Sequence, residues 1–200
     1  MKKRLGILLS GRGSNFEAIA QNVSSGQLNC EIGFVFSNKP DAPGLARARE
    51  LGFPHASIES AGRDRAAFDE EVAKLLQSND IDLICLAGYM RLLTGKFVSQ
   101  FRGRILNIHP SLLPAFPGLD AQYQALLHGV KVTGCTVHFV DENLDAGPIL
   151  LQSTVPVLDS DTVDSLSARI LKEEHRIYSE AISWVLAGNY RVEGRRVINT

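Results

Sequence analysis

Two stretches of the chain hold the side chains best suited to chemistry. One is Asn107-Ile108-His109-Pro110-Ser111-Leu112-Leu113-Pro114, and the other is Leu144-Asp145-Ala146-Gly147-Pro148-Ile149. Asn107 and His109 stand two residues apart at the end of an apolar run that reads as a strand. Side chains at i and i+2 of a strand point to one face, so the amide and the imidazole can converge on one atom. Asp145, in a loop punctuated by glycine and proline, is a ready carboxylate partner for the imidazole. An amide, an imidazole and a carboxylate together can steady an oxyanion and move protons around it. No serine or cysteine at nucleophile spacing accompanies them, so the attacking group is expected to come from a substrate.

A second candidate is Gly11-Arg12-Gly13-Ser14-Asn15, between a predicted strand and a predicted helix. Glycines let backbone amides approach an anion, and a helix N-terminus favours negative charge. A dinucleotide fingerprint fails because Phe16 occupies the third glycine position and the second strand ends in Phe36-Ser37-Asn38, without a carboxylate for a ribose. A P-loop fails because no Gly-Lys-Ser/Thr follows. A small phosphate ester fits best. The competing reading is a tight turn with a serine cap and no ligand.

The composition bounds the reading. Two hundred residues suit a single domain over 1–200, with a phosphate-binding half over about 1–100 and a catalytic half over about 101–200. The net charge of -1 argues against a protein built to hold nucleic acid, which ordinarily carries a basic excess. Cys30, Cys85 and Cys135 are odd in number and scattered, which suits neither a disulfide framework nor a zinc ribbon. Cys85 reads as a buried small hydrophobe. The apolar run after Met1-Lys2-Lys3-Arg4 is too short for a signal-peptide core, and no run has membrane-spanning length. A cytoplasmic location without a membrane partner is expected.

The elements that must position these residues follow from pattern. Leu5 to Leu9 reads as a buried strand, with Ser14 capping a helix from Asn15 and Glu17 completing a capping box. Strands follow at Glu31–Ser37, Pro54–Ile58, Ile81–Leu86 and Ile105–His109, with helices at Ala42–Leu51 and Asp64–Gln77. Ala67, Phe68, Val72, Leu75 and Leu76 are expected on one side of the latter helix. This order predicts an α/β fold with a doubly wound, mostly parallel sheet. The C-terminal half adds an antiparallel extension: Val132–Val140 and Ile149–Val157 both alternate, and Asp141–Pro148 joins them. A long helix over Asp161–Leu186 is capped by Asp161 or Ser160 and stopped by Gly188, and Arg191–Ile198 turns as a hairpin at Glu193-Gly194. In open α/β sheets ligands bind at the carboxyl ends of strands, where Ser10–Asn15, Ala87-Gly88-Tyr89-Met90-Arg91 and Asn107–Ser111 all fall.

Ser-Gly-Arg-Gly-Ser-Asn, Ala-Gly-Tyr-Met-Arg, Asn-Ile-His-Pro-Ser-Leu-Leu-Pro and Leu-Asp-Ala-Gly-Pro-Ile-Leu closely resemble the motifs of the folate-dependent phosphoribosylglycinamide formyltransferases. The resemblance runs from the first strand to Trp184. It implies the formyltransferase fold. It implies transfer of a formyl group from 10-formyltetrahydrofolate, as cosubstrate, to the amine of 5′-phosphoribosylglycinamide in purine (IMP) synthesis, without a metal. By the same resemblance Asn107, His109 and Asp145 are catalytic. Gly13, Ser14 and Asn15 hold the substrate phosphate, and Glu174 binds the glycinamide. Met90, Arg91, Leu92 and Leu93 line the folate pocket with the segment from Val140 and Asp141 to Asp145, and Arg65 reaches the outer part of the folate. The expected partners are these small molecules alone, acting on a monomer or homodimer.

Plainer readings stand beside these. His138, on an alternating strand, is expected to be packed and hydrogen-bonded; His55 and His128 have no evident partners, and His175 flanks Glu174. A metal site from His109, His138 and Asp145 lacks supporting ligand spacing. Glu173-Glu174 reads equally as a solvated acidic pair, and Arg65 as a surface arginine. Leu119-Asp120-Ala121-Gln122 stands where some members of the resembled family carry histidines, so no role is assigned there. Formyltetrahydrofolate hydrolysis would use the same three residues with water. Those enzymes generally carry an extra N-terminal domain, whereas this chain starts at the first strand. A silent phosphate-binding module would not need Asn107, His109 and Asp145 together.

Overall fold

Leu5, Ile7, Leu8 and Leu9 are fully buried, and they form the middle of a parallel sheet covered on both sides. The computed structural model describes residues 2–200, which divide into two compact units, Met1–Leu106 and Asn107–Thr200.

The first unit contains β1 (Arg4–Leu9), α1 (Ser14–Ser24), β2 (Glu31–Ser37), α2 (Pro43–Glu50), β3 (His55–Ser57), α3 (Arg65–Ser78), β4 (Leu83–Leu86) and α4 (Gly95–Gln100). Its strand order is β3-β2-β1-β4, and the pairings of β1 with β2, β1 with β4 and β2 with β3 are all parallel. The chain steps outward from β1 to β3 and then returns to β4 on the other side of β1. This reversal is the point where doubly wound sheets open a crevice at their carboxyl edge. Ser10 to Asn15 follows β1 there, and Ala87 to Arg91 follows β4. The loops are tied together: Ser10 N–H donates to the Gly88 carbonyl at 3.0 Å, and Met90 N–H donates to Ser10 Oγ at 2.8 Å.

The second unit takes the last three residues of β5 (Ile105–His109). It continues with α5 (Ala121–Leu127), β6 (Val132–Phe139), β7 (Ile149–Pro156), α6 (Val163–Ala187), β8 (Tyr190–Glu193) and β9 (Arg196–Asn199). The neighbour order is β5-β6-β7-β9-β8, with β6/β7 and β8/β9 antiparallel and β7/β9 parallel. The expected antiparallel extension is thus present. The α6 helix packs on β6 and β7 with a stripe of Leu166, Ile170, Ile177, Tyr178, Ala181 and Ile182, the spacing of one helical face.

Several local expectations are corrected. Ser14 is the first residue of α1, not its cap. Gly13 takes the cap position with φ 79°, and no side chain caps the helix, so the box with Glu17 does not form. The close approach of Gly44, whose Cα lies 2.8 Å from where a Gly13 Cβ would stand, leaves room only for glycine there. In α3, Asp64 is the cap and accepts from Ala67 N–H at 2.9 Å, but Ala67 is exposed; Asp69 and Ala73 join Phe68, Val72 and Leu76 on the buried side. The cap of α6 is Thr162, reciprocally bonded with Ser165, whereas Asp161 makes a bidentate pair with Arg169 at 2.7 and 2.8 Å. The short helices α4 and α5 carry too few residues to show a period and escape sequence reading.

Candidate active site

The second unit gathers Asn107, His109, His138 and Asp145 within hydrogen-bonding or ion-pair reach of one another. Asn107 and His109 leave β5 at alternating positions, with Ile108 buried between them. His138 enters from β6, and Asp145 from the loop between β6 and β7. His138 Nδ1 lies 2.8 Å from the Phe139 carbonyl, which can only accept, so that nitrogen carries the hydrogen. Nε2 is therefore the acceptor, and it receives the Asn107 amide Nδ2 at 3.2 Å. This orients the amide: one N–H is spent on His138, and the second remains to be aimed elsewhere. Burial pulls the pKa of His138 below 6.5, against the opposing effects of the Phe139 carbonyl and Asp145, so the ring stays neutral and keeps this tautomer.

His109, 5% exposed, places Nε2 at 2.8 Å from the Phe116 carbonyl, so this nitrogen too carries a hydrogen. Its other nitrogen, Nδ1, lies 3.5 Å from Asp145 Oδ2. The same Oδ2 accepts the Gly118 N–H at 2.8 Å, and Oδ1 stands 3.8 Å from His138 Nε2. Asp145 thus faces both imidazoles and is held by backbone. Asp145 and Phe116 both adopt left-handed backbone, with φ 48° and 54°. Non-glycine residues adopt this conformation rarely, and where they do the surroundings must over-determine it. Here those surroundings are the bonds to Gly118 and His109.

Thr136, two residues before His138 on β6, fixes the turn beyond His109. Its Oγ donates to the Ser111 carbonyl at 2.7 Å and accepts the Leu113 N–H at 3.0 Å. Ser111 Oγ donates to the Ala115 carbonyl at 2.5 Å. The loop from Val140 to Pro148 is closed at its neck by Phe139 N–H on the Pro148 carbonyl at 2.9 Å, and a Cβ on Gly147 would fall onto the Phe139 carbonyl oxygen. Within this loop Asp141 makes a turn by accepting Asn143 N–H at 2.8 Å, and Val140 is half-buried. Among the described residues, no group of three or more His, Cys, Asp and Glu is placed to hold a metal ion.

Glu174 separates from its neighbour. Glu173 is half-exposed and held by Ser153 Oγ at 2.7 Å and Arg176, which draw its carboxyl below the usual range. Glu174 is 7% exposed and falls within the apolar stripe of α6, four residues after Ile170 and three before Ile177. An acidic residue on a buried helical face is unusual unless it is paired there. The reading of Glu173-Glu174 as one solvated pair therefore holds for Glu173 alone.

In the first unit, Gly13 and Asn15 are buried and Ser14 is half-buried at the start of α1. No side chain caps α1, and the first-turn N–H groups of a helix have no partner within the helix itself. Ser10 Oγ donates to Asn38 Oδ1 at 2.5 Å, and Asn38 Nδ2 donates to Ser60 Oγ at 3.1 Å, so the loop is fixed by side chains behind it. Met90 and Leu92 are exposed apolar side chains, while Leu93 is half-buried. Arg91 turns inward: its guanidinium lies 4.3 Å over the Phe68 ring and 3.8 Å from Asp69 Oδ1. Arg65 is exposed at the first position of α3.

The sequence pattern of the formyl transferase family matches residues 3–182. The chain belongs to the formyl transferase family. Among formyl transferases it is 44% identical over 187 residues to phosphoribosylglycinamide formyltransferase of Escherichia coli (strain K12), covering 93% of this chain and 88% of that relative. It is 45% identical over 190 residues to the trifunctional purine biosynthetic protein adenosine-3 of Drosophila melanogaster, where the match covers 94% of this chain but only 14% of the longer relative. In three dimensions it resembles glycinamide ribonucleotide transformylase 1 from Symbiobacterium toebii, with a TM-score of 0.96 and 53% identity over 99% of this chain and 94% of that one. Every site residue expected from the sequence lies within the stretch that the formyl transferase pattern matches.

Sequence reasoning expected His138 to be packed and hydrogen-bonded, as it is, but missed that its partner is Asn107, and missed the backbone of Phe116 and Gly118. A signal for the first was available. Thr136 and His138 are polar residues at i and i+2 inside the buried strand Cys-Thr-Val-His-Phe, on one face and in need of partners. The other two contacts are backbone groups of a loop and leave no trace in residue identity.

Proposed function

We infer that this chain transfers the formyl group of 10-formyltetrahydrofolate to the amine of 5′-phosphoribosylglycinamide, a step of purine synthesis. The observation that carries the reading is the joined Asn107–His138 and His109–Asp145 geometry in a formyl transferase chain. The cluster contains no nucleophile of its own, so the glycinamide amine attacks the formyl carbon directly. A new N–C bond forms, the carbonyl oxygen becomes an oxyanion, and the bond from that carbon to the folate nitrogen then breaks. The free N–H of Asn107 donates to the oxyanion, and a protonated His109, whose two N–H groups face the Phe116 carbonyl and Asp145, stabilises it by its charge. Asp145 places negative charge beside His109 and helps pass the proton from the attacking ammonium to the departing folate nitrogen. No step calls for a metal.

The binding roles extend the proposal. Gly13, Ser14 and Asn15 hold the phosphate through first-turn amides and polar side chains. Glu174 holds the glycinamide. Met90, Leu92 and Leu93 offer apolar surface to the pterin and benzoyl rings, Arg91 acts through its backbone since its side chain is turned away, and Val140 and Asp141 contribute from the β6–β7 loop. Arg65 meets the acidic outer end of the folate. Residues 1–200 act as one formyltransferase domain, as a monomer or homodimer in the cytoplasm, with no nucleic acid or membrane partner.

The test follows formylated product and free formate together, in wild type and His109→Ala. Product that requires the amine substrate, and falls by about 10²–10³ in the variant, is expected. Formate released equally fast without the amine would make the chain a hydrolase and overturn the reading.

A further inference from the structure

One buried carboxylate in the first unit has no part in the reaction just described. Asp69 lies on the buried face of α3, only 2% exposed, among Phe68, Val72, Ala73 and Leu76. Its Oδ2 accepts the Thr94 N–H at 2.7 Å, and its Oδ1 is paired with Arg91 Nε at 3.8 Å, beyond hydrogen-bond reach. Arg91 is held in place by this charge and by the face of Phe68. Thr94 in turn caps α4, its side chain accepting Phe97 N–H at 3.4 Å. Tyr89 is buried at the other end of the same segment, and burial together with the Asp69 charge keeps its hydroxyl protonated.

The segment from Met90 to Thr94 is thus fastened at two points, by Ser10 Oγ on Met90 N–H and by Asp69 on Thr94 N–H. Between them Met90 and Leu92 stand exposed. Two exposed apolar side chains on a short irregular segment bind a flat ligand well only if the backbone is held in advance, because ordering it on binding costs affinity. Burying a carboxylate is expensive unless it is paired, and the partners of Asp69 among the described residues, Thr94 N–H and Arg91, both belong to this segment.

We propose that Asp69 is a positioning residue for the folate-binding segment Met90–Thr94, acting through Arg91 and the Thr94 amide. The proposal rests on the folate-dependent reading of the site. Asp69→Asn keeps an acceptor for Thr94 N–H but removes the charge that holds Arg91; Asp69→Leu removes both. The formyl-folate KM rises several-fold in Asp69→Asn and by about tenfold or more in Asp69→Leu, the size that a lost buried hydrogen bond to a charged group carries. The KM for phosphoribosylglycinamide stays within about twofold, because the phosphate loop is held by other bonds. Arg91→Met raises the folate KM to a similar degree, and adding it to Asp69→Leu has little further effect, since the two side chains work as one unit.

A purely structural role for Asp69 would lower kcat in proportion to the folded fraction and leave both KM values alone, and that result would overturn the proposal. Amide exchange keeps it testable apart from activity: the Met90–Thr94 amides exchange faster in Asp69→Asn than in wild type, and equal rates would overturn it too. Absence of formylated product from wild type would instead refute the functional reading, and the exchange comparison would still decide the role of Asp69.

Discussion

His138 shows how one side chain can act through another. Its neutral tautomer is dictated by a carbonyl on one nitrogen, and the amide of Asn107 is oriented by the other. The depressed pKa has a stability consequence whose sign is fixed. Below 6.5 the unfolded chain binds a proton at this histidine that the folded chain refuses. The stability linked to neutral His138 is therefore present above 6.5 and lost as pH falls from there toward the lower folded value. Urea unfolding one unit above and one unit below 6.5 should show a drop in wild type that is smaller in His138→Gln. His138→Leu, which leaves no acceptor, should lose transfer activity at both pH values, because the Asn107 amide is no longer oriented. An undiminished rate would show that Asn107 holds its own orientation. The legibility of this site in the sequence divides along a physical line. Asn107 and His109 were recognisable because residue type and spacing on a strand carry direction, and Asp145 because it is a carboxylate in a loop punctuated by glycine and proline. His138 comes from a neighbouring strand, and register between strands is not written in either strand alone.

At the scale of elements, caps and close approaches decide where the site sits. Thr162 and Ser165 satisfy each other's backbone at the start of α6, the helix that carries Glu174. Thr162→Ala should cost about 1 kcal/mol in denaturant unfolding, with the m-value unchanged. Gly147 is different in kind: a methyl there meets the Phe139 backbone, which cannot move without disturbing the carbonyl that holds His138. Gly147→Ala should therefore depress turnover far more than Thr162→Ala, a contrast that kcat measured at equal folded fraction would reveal. The strands and the four longer helices were readable to within a few residues, since burial on both faces makes continuous apolar runs and one-sided burial makes a helical period. The caps were less so. Asp161, Thr162 and Ser165 can all cap, and Asp161 is drawn away by Arg169 in the next turns of the helix. Ser14 was a plausible cap until the approach of Gly44 required a left-handed glycine just before it.

Across the whole chain, both units bury their thiols. Among the described residues Cys30, Cys85 and Cys135 form no disulfide and are at most 1% exposed, and burial pushes the thiols of Cys30 and Cys135 up to about 11 and about 12. A thiol-specific reagent near neutral pH should leave all three unmodified in the native protein, with transfer activity intact, and titrate three per chain in denaturant. Rapid native modification coupled to loss of activity would return a cysteine to the mechanism. The small net charge likewise predicts no retention on immobilised DNA at about 0.1 M salt, where a binding face of several cations would still hold. Periodicity, glycine placement and the Asn-x-His motif were enough to read the α/β class and to expect the chemistry at the strand ends with Asn107 and His109, because each depends on neighbours within a few positions. Only the folded chain could turn Arg91 inward to Asp69, bury Glu174 while leaving Glu173 at the surface, and bring the Phe116 carbonyl and Gly118 amide to His109 and Asp145. Those outcomes depend on which distant groups share a low-dielectric interior, and that is settled by packing between elements.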